Sequence, residues 1–240
     1  VDVLIDRAAR AVARRAITML GGTYGRRVVV IAGKGNNGND GRVAAGHLRR
    51  RGVRVRVVDA ADAPRSIPAV DLVIDAAYGT GFRGRYEPPR LADGQRVLAV
   101  DIPSGVDGLT GEVGCRVLAA ESTVTFAALK PGLLLEPGAA LVGDRHVADI
   151  GLDVSSVATH LVESSDVGTW LPRRSPTAHK WQSAVWVVAG SPGMGGAASL
   201  TCAGAQRTGA GYVRLSTPGG FASDVPVEVV QHRVGVRWPD

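Results

Sequence analysis

Residues 28–41 read VVVIAGKGNNGNDG, four β-branched residues and an alanine running into a glycine loop. The segment 42–51 then carries helical spacing, Gly52 closes it, and VRVRVV at 53–58 is a second β-type run. Strand, loop, helix, strand is a βαβ unit, which crosses over right-handed into a parallel sheet. That one unit commits the chain to the α/β class, because a parallel sheet must have both faces covered.

The rest of the first 150 residues repeats the strand theme. Residues 71–74 predict a third strand ending at Asp75, 97–100 a fourth ending at Asp101, and 122–126 a fifth leading to Lys130-Pro131-Gly132. A last strand is expected at 146–150. Residues 4–20 place Leu4, Ala8, Ala11, Val12, Ala16 and Met19 at helical spacing, with most arginines off that face. The expectation is a Rossmann-like three-layer αβα sandwich around a mostly parallel sheet. Ligands of such sheets sit beyond the carboxyl ends of the strands. The glycine loop, Asp75, Asp101 and the approach to Lys130 are therefore expected to converge on one crevice.

After Gly151 the texture changes to serine pairs and Pro172-Arg-Arg-Ser-Pro176, which reads as a linker over 153–183. Residues 184–240 again run strand, glycine loop, small-residue helix, strand. The expected organisation is a first domain at 1–152, the linker, and at 184–240 the truncated start of a second α/β domain. The opening valine fits a fragment.

Composition removes several function classes. Net charge is +6, yet the arginines that dominate the basic residues are scattered, and only Arg49-Arg50-Arg51 cluster, at a helix end. Aromatics are 5%, too few for stacking platforms, so no nucleic-acid partner is expected. No apolar run is long enough to span a bilayer and no signal peptide opens the sequence, so no membrane partner is expected. Cys115 and Cys202 match no metal or redox spacing and read as reduced thiols of a cytoplasmic protein.

GKGNNG fits G-x-G-x-x-G, with Asp59 following at the spacing of a ribose-binding acid. The loop's other residues fit poorly with that role. Asp40 near a helix start suits the helix dipole but repels a phosphate seated there. Asn36, Asn37 and Asn39 offer amides that hydrogen-bond sugars, and oxygens that ligate a hard cation. A polar organic ligand with an ion, or a plain asparagine–glycine turn, are the two readings that the loop supports by itself.

Four segments together resemble the NAD(P)H-hydrate epimerase family: GKGNNGNDG (33–41), DAAYGTGFRG (75–84), VDIPSGVDGLTG (100–111) and TFAALKPGLLLEPG (125–138). The tail AHKWQSAVWVVAGSPGMGGAA (178–198) is similar to the entrance of the ADP-dependent NAD(P)H-hydrate dehydratase, a ribokinase-like α/β domain. The resemblance implies interconversion of the R and S forms of NADHX and NADPHX, in which water has added at C6 of the nicotinamide ring. It implies substrate contacts from Asn36, Asn37, Gly38, Asn39 and Asp40, from the turn Gly79, Thr80, Gly81, Phe82, Arg83, Gly84 and Arg85, and from Asp101. A potassium ion is implied on Asn37, Asp75 and Ser104, and a weaker carry-over puts Ala197 against the dehydratase's substrate. C6 is a carbinolamine, so epimerisation needs a group to protonate the departing hydroxyl and a base for the incoming water. Asp101 is the expected acid/base and Lys130 its partner.

Departures from the family pattern are Asn39, where a glycine is frequent, and Trp181 after His179-Lys180. The segment that precedes residue 1 in the family is expected to be missing. ADP or ATP would serve only the missing part of the dehydratase, whose activity is not expected of this chain. A homo-oligomer remains open. Two rivals compete with the epimerase: an NAD-dependent oxidoreductase using the glycine loop and Asp59, and a non-catalytic interaction module.

Overall fold

The computed structural model describes residues 2–114, 116–171 and 173–234, so Cys115 and Pro172 lie outside the described residues. The chain divides into two compact units, 1–159 and 160–240.

In the first unit, α1 (Asp2–Leu20) precedes β1 (Arg27–Ala32), α2 (Asn36–Arg50) and β2 (Arg54–Asp59). β3 (Leu72–Ala76), β4 (Val97–Val100), β5 (Ser122–Phe126) and β6 (Asp144–Ala148) follow. The six strands form one sheet in the order β2-β1-β3-β4-β5-β6, and every neighbouring pair is parallel. The chain steps outward from β1 to β2 and then returns to the other side of β1 for β3. The loops after β1 and β3 therefore diverge and leave a crevice between them, the position at which open α/β sheets take ligands.

Alternation along the strands builds two cores. Val28, Val30, Leu72, Ile74, Leu98 and Val100 pack against α1 and α2, where Ala9, Val12, Ala16, Ala45 and Leu48 meet them. Val29, Ile31, Val73, Val97 and Ala99 face the other way and are covered by Ile67, Tyr86, Leu118 and Ala120. Those four come from the long connections between strands, which contain no helix among the described residues. The third layer of the sandwich is thus irregular chain, while both α-helices of this unit lie on one face.

Two expected boundaries move. The helix expected from 42 begins at Asn36, so the asparagines stand in its first turn instead of in a loop. Asparagine and glycine are weak helix formers, but here tertiary contact decides. A Cβ on Gly38 would collide with the carbonyl of Gly33, and one on Gly41 would meet Ala76 and Val30. Only a glycine-rich first turn can lie this close to the strand tips. The last strand also starts earlier, at Asp144, paired along its length with β5; its exposed, charged residues hide the apolar pattern of an interior strand.

The second unit holds α3 (Ser164–Trp170), β7 (Ala184–Val188), α4 (Gly196–Arg207), β8 (Tyr212–Pro218) and β9 (Val230–Val234). Its strands form a parallel sheet, β7-β8-β9, with a small core of Val187, Ala198, Cys202, Val213 and Leu215. Cys202 is a free, buried thiol. Among the described residues no helix is long and apolar enough to cross a membrane.

Candidate active site

A cleft of about 690 Å³ opens at the carboxyl ends of β1, β3, β4 and β5, where the topology places it. The first turns of α2 supply Asn36, Asn37 and Asp40; the turn after β3 supplies Gly79 to Arg83; Asp101 directly follows β4, and β5 ends at Phe126.

Glycines draw these segments together. A Cβ on Gly33 would collide with the Ala77 carbonyl, so the tips of β1 and β3 approach as closely as backbone allows. A Cβ on Gly79 would lie 3.1 Å from the Asp101 carboxylate and 3.4 Å from the Asn37 amide carbon. Gly79 is thus the spacer that brings Asn37 and Asp101, distant in sequence, to one spot.

Asp101 has a left-handed backbone, φ +68°, and Ala127 at the end of the neighbouring strand has φ +64°. Such angles are uncommon for residues with a side chain and gather at functional sites. The Asp101 backbone N–H donates to the Val124 carbonyl at 2.7 Å, which holds the turn. Its carboxylate pairs with the Lys130 ammonium at 2.7 Å. Lys130 also donates to Thr125 Oγ1 and to the Phe126 carbonyl, both at 2.8 Å, so its three donors are all engaged. The second carboxylate oxygen of Asp101 accepts from the Thr80 backbone at 3.3 Å.

Asp40 has the opposite surroundings. It is 7% exposed, one turn into α2, and no hydrogen bond or ion pair reaches its carboxyl among the described residues. Burial, then the negative charge of Asp101, push that carboxyl up to about 7. The expectation that Asp40 acts as an ionised N-terminal acid of the helix is corrected: it lies past the first turn and is desolvated.

Asp75 and Ser104 lie beneath the cleft instead of lining it. Asp75 is fully buried and accepts from Ser104 Oγ at 2.7 Å, the Ser104 backbone at 2.9 Å and the Ala77 backbone at 3.2 Å. Even so, desolvation outweighs these bonds and raises its pKa. Ser104 Oγ also accepts from the Tyr78 N–H at 2.9 Å, tying the 77–80 turn to this floor. Both polar atoms of the Asn37 amide are buried with no hydrogen-bond partner among the described residues.

The other expected positions separate. Gly38 serves the packing of α2, and Asn39 is exposed on the helix, away from the cleft lining. Gly84 belongs with Phe82 and Arg83 to a neighbouring cavity, and Arg85 is exposed. Ala197 is exposed on α4 of the second unit. Asp59 is occupied by Arg42 at 3.1 Å and by the Ala61 N–H at 3.0 Å, so it is not a vacant ribose acceptor. Residues that the sequence reading passed over are Tyr78, Ala77 and Phe126 on the cleft wall, and Thr125 below it. Tyr78 stacks on Phe82 with centroids 4.0 Å apart. A signal existed for Thr125, a polar side chain in a strand otherwise expected to be buried.

The profile of the family described as YjeF-related protein N-terminus matches residues 1–66 and 58–132. A bifunctional NAD(P)H-hydrate repair enzyme Nnr from Moorella thermoacetica is 36% identical over 241 aligned positions, covering 81% of this chain and 46% of that protein. The Escherichia coli protein of the same name is 32% identical, over 80% of this chain and 44% of its own length. The crystal structure of yeast ynu0, YNL200c, aligns with a TM-score of 0.46 and 23% identity, covering 54% of this chain and 72% of that one. The chain spans about half the length of the curated relatives it matches.

Proposed function

From a chain that belongs to the family of YjeF-related protein N-termini, we propose an NAD(P)H-hydrate epimerase that interconverts the R and S forms of NADHX or NADPHX at C6. The names of the relatives, NAD(P)H-hydrate repair enzymes, support the substrate class. The observation that carries the chemistry is the pairing of unlike carboxyls in one cleft: Asp40 desolvated and without a partner, Asp101 ion-paired with Lys130.

Two groups in different protonation states are what a carbinolamine requires. Asp40, protonated near neutral pH, donates to the departing C6 hydroxyl, and the ring nitrogen's lone pair forms the iminium. Asp101 takes a proton from the water that adds back, and its charge favours the cationic ring in between. Lys130 orients Asp101 through their ion pair; each turnover leaves Asp40 ionised and Asp101 protonated, and proton exchange with water in the open cleft resets both. Tyr78 and Phe82 offer an aromatic wall for the nicotinamide ring.

A potassium ion fits the oxygen donors of Asn37, Asp75 and Ser104. Among the described residues the Asn37 amide has no hydrogen-bond partner, and the buried Asp75 carboxylate accepts from Ser104 and Ala77 with no cation beside it. Bound there, the ion would supply fixed positive charge for the substrate's anionic part.

The test is epimerisation of purified R-NADPHX, followed by chromatography of the two epimers, with potassium or with choline. Potassium should raise both the rate and the melting temperature. Asp101→Asn, which keeps a residue tolerant of the left-handed backbone, should lower the rate about 100-fold or more while NADPHX still binds. Near-normal turnover in that variant, or hydride transfer to intact NAD, would refute the reading.

A further inference from the structure

A second cavity, of about 420 Å³, runs along the edge strand β2 from Arg54 to Val58 and beside the amino-terminal half of β1. It sits on the face without helices, walled by Val29, Val58, Pro64, Ile67, Pro68 and Val70. Its size falls in the range of small-molecule sites. It shares no residue with the catalytic cleft.

Three arginines complete its lining, Arg27, Arg54 and Arg56. The strand register sets Arg27 directly opposite Arg54, and Arg56 follows two residues on, so all three stand on one face of the sheet. Like charges directly opposite one another destabilise a sheet. Among the described residues none of the three guanidinium groups makes a hydrogen bond or ion pair. The neighbouring carboxylate, Asp71, is committed to the Arg26 guanidinium at 3.0 Å and to the Arg27 backbone N–H at 2.8 Å. Asp71 also offsets part of the Arg27 charge through space, so the fold gathers a net positive charge, greatest at Arg54 and Arg56, beside an apolar trough.

We propose that this cavity binds a medium-chain fatty carboxylate, its head on Arg27, Arg54 and Arg56 and its tail along the valine, isoleucine and proline wall. A bare inorganic anion would leave Pro64, Pro68 and Val70, the wall residues still open to water, uncovered, and a neutral hydrocarbon would leave the charges unmet. The planar guanidinium fork matches a carboxylate in two-point fashion. The assignment is independent of the epimerase reading, since the two cavities share no lining residue.

Calorimetric titration of the whole 240-residue chain with hexanoate, octanoate and decanoate, below their micellar concentrations, tests it. Affinity should rise roughly three- to fourfold per methylene until the trough is filled. Acetate and decanol should each bind at least tenfold more weakly than decanoate. The Arg54→Gln/Arg56→Gln variant should lose tenfold or more in decanoate affinity with its circular dichroism unchanged, because both residues are exposed and neither guanidinium is paired among the described residues. R-NADPHX should not displace decanoate. Affinity independent of tail length, equal binding of decanol, unchanged binding by the double variant, or displacement by R-NADPHX would each overturn the assignment.

Discussion

At the residue scale, Asp40 couples function to stability. Its carboxyl is held at about 7 in the folded chain against 3.8 unfolded, with burial the larger cause and Asp101 the smaller. The sign follows from proton linkage. The folded state binds the extra proton between those two values, so stability falls as pH rises through that window and the whole deficit is present above pH 7. Three units correspond to about 4 kcal/mol at most. Asp40→Asn should therefore be more stable than the parent at pH 8 in urea unfolding, with the difference vanishing near pH 4. The same variant should lose epimerisation, since an amide cannot protonate the hydroxyl. A variant whose stability advantage over the parent is no larger at pH 8 than at pH 4 would show that Asp40 is better solvated than its position in α2 implies. Local sequence could place Asp40 beside a ligand, but its protonation comes from burial under neighbours remote in the chain. A carboxylate in an asparagine–glycine run carries no local mark of that.

At the element scale, the junction of β1, α2 and β3 makes the cleft. Gly33 lets the tip of β1 meet the carbonyl of Ala77, and Gly38 lets the first turn of α2 fold back onto Gly33. The glycine fingerprint thus serves backbone approach at the point where strand order reverses. Gly33→Ala forces backbone apart and should destabilise by about 1–3 kcal/mol, the usual range for overpacking, measured by chemical unfolding. Because Asn37 and Asp101 are spaced by the same close packing, activity should fall further than stability alone accounts for. A stable, active Gly33→Ala would mean that the strand tips separate without consequence. The strand runs were legible from β-branched alternation, and Asp75 and Asp101 from their place at strand ends. The start of α2 was not, since glycine and asparagine signal a turn and the packing that makes them helical is tertiary.

At the scale of the whole molecule, two compact units are joined by chain in which residues 151–165 are all exposed. Limited digestion with elastase should cut first within that stretch and release fragments that resist further cleavage. Early cuts between 27 and 148 would contradict the six-stranded unit. By itself the amino-acid sequence determined the α/β class, the succession of strands along the first unit, and which motifs end them, because β-propensity, helical period and turn chemistry are written within short windows. Only the tertiary structure decided that Asp75 and Ser104 form a floor while Asn37, Asp40 and Asp101 face the cleft, that Asp59 is taken by Arg42, and that Arg27 stands across from Arg54. Each of these depends on register and burial between segments far apart in the chain, and desolvation and pairing act on distance in space, whatever the distance in sequence.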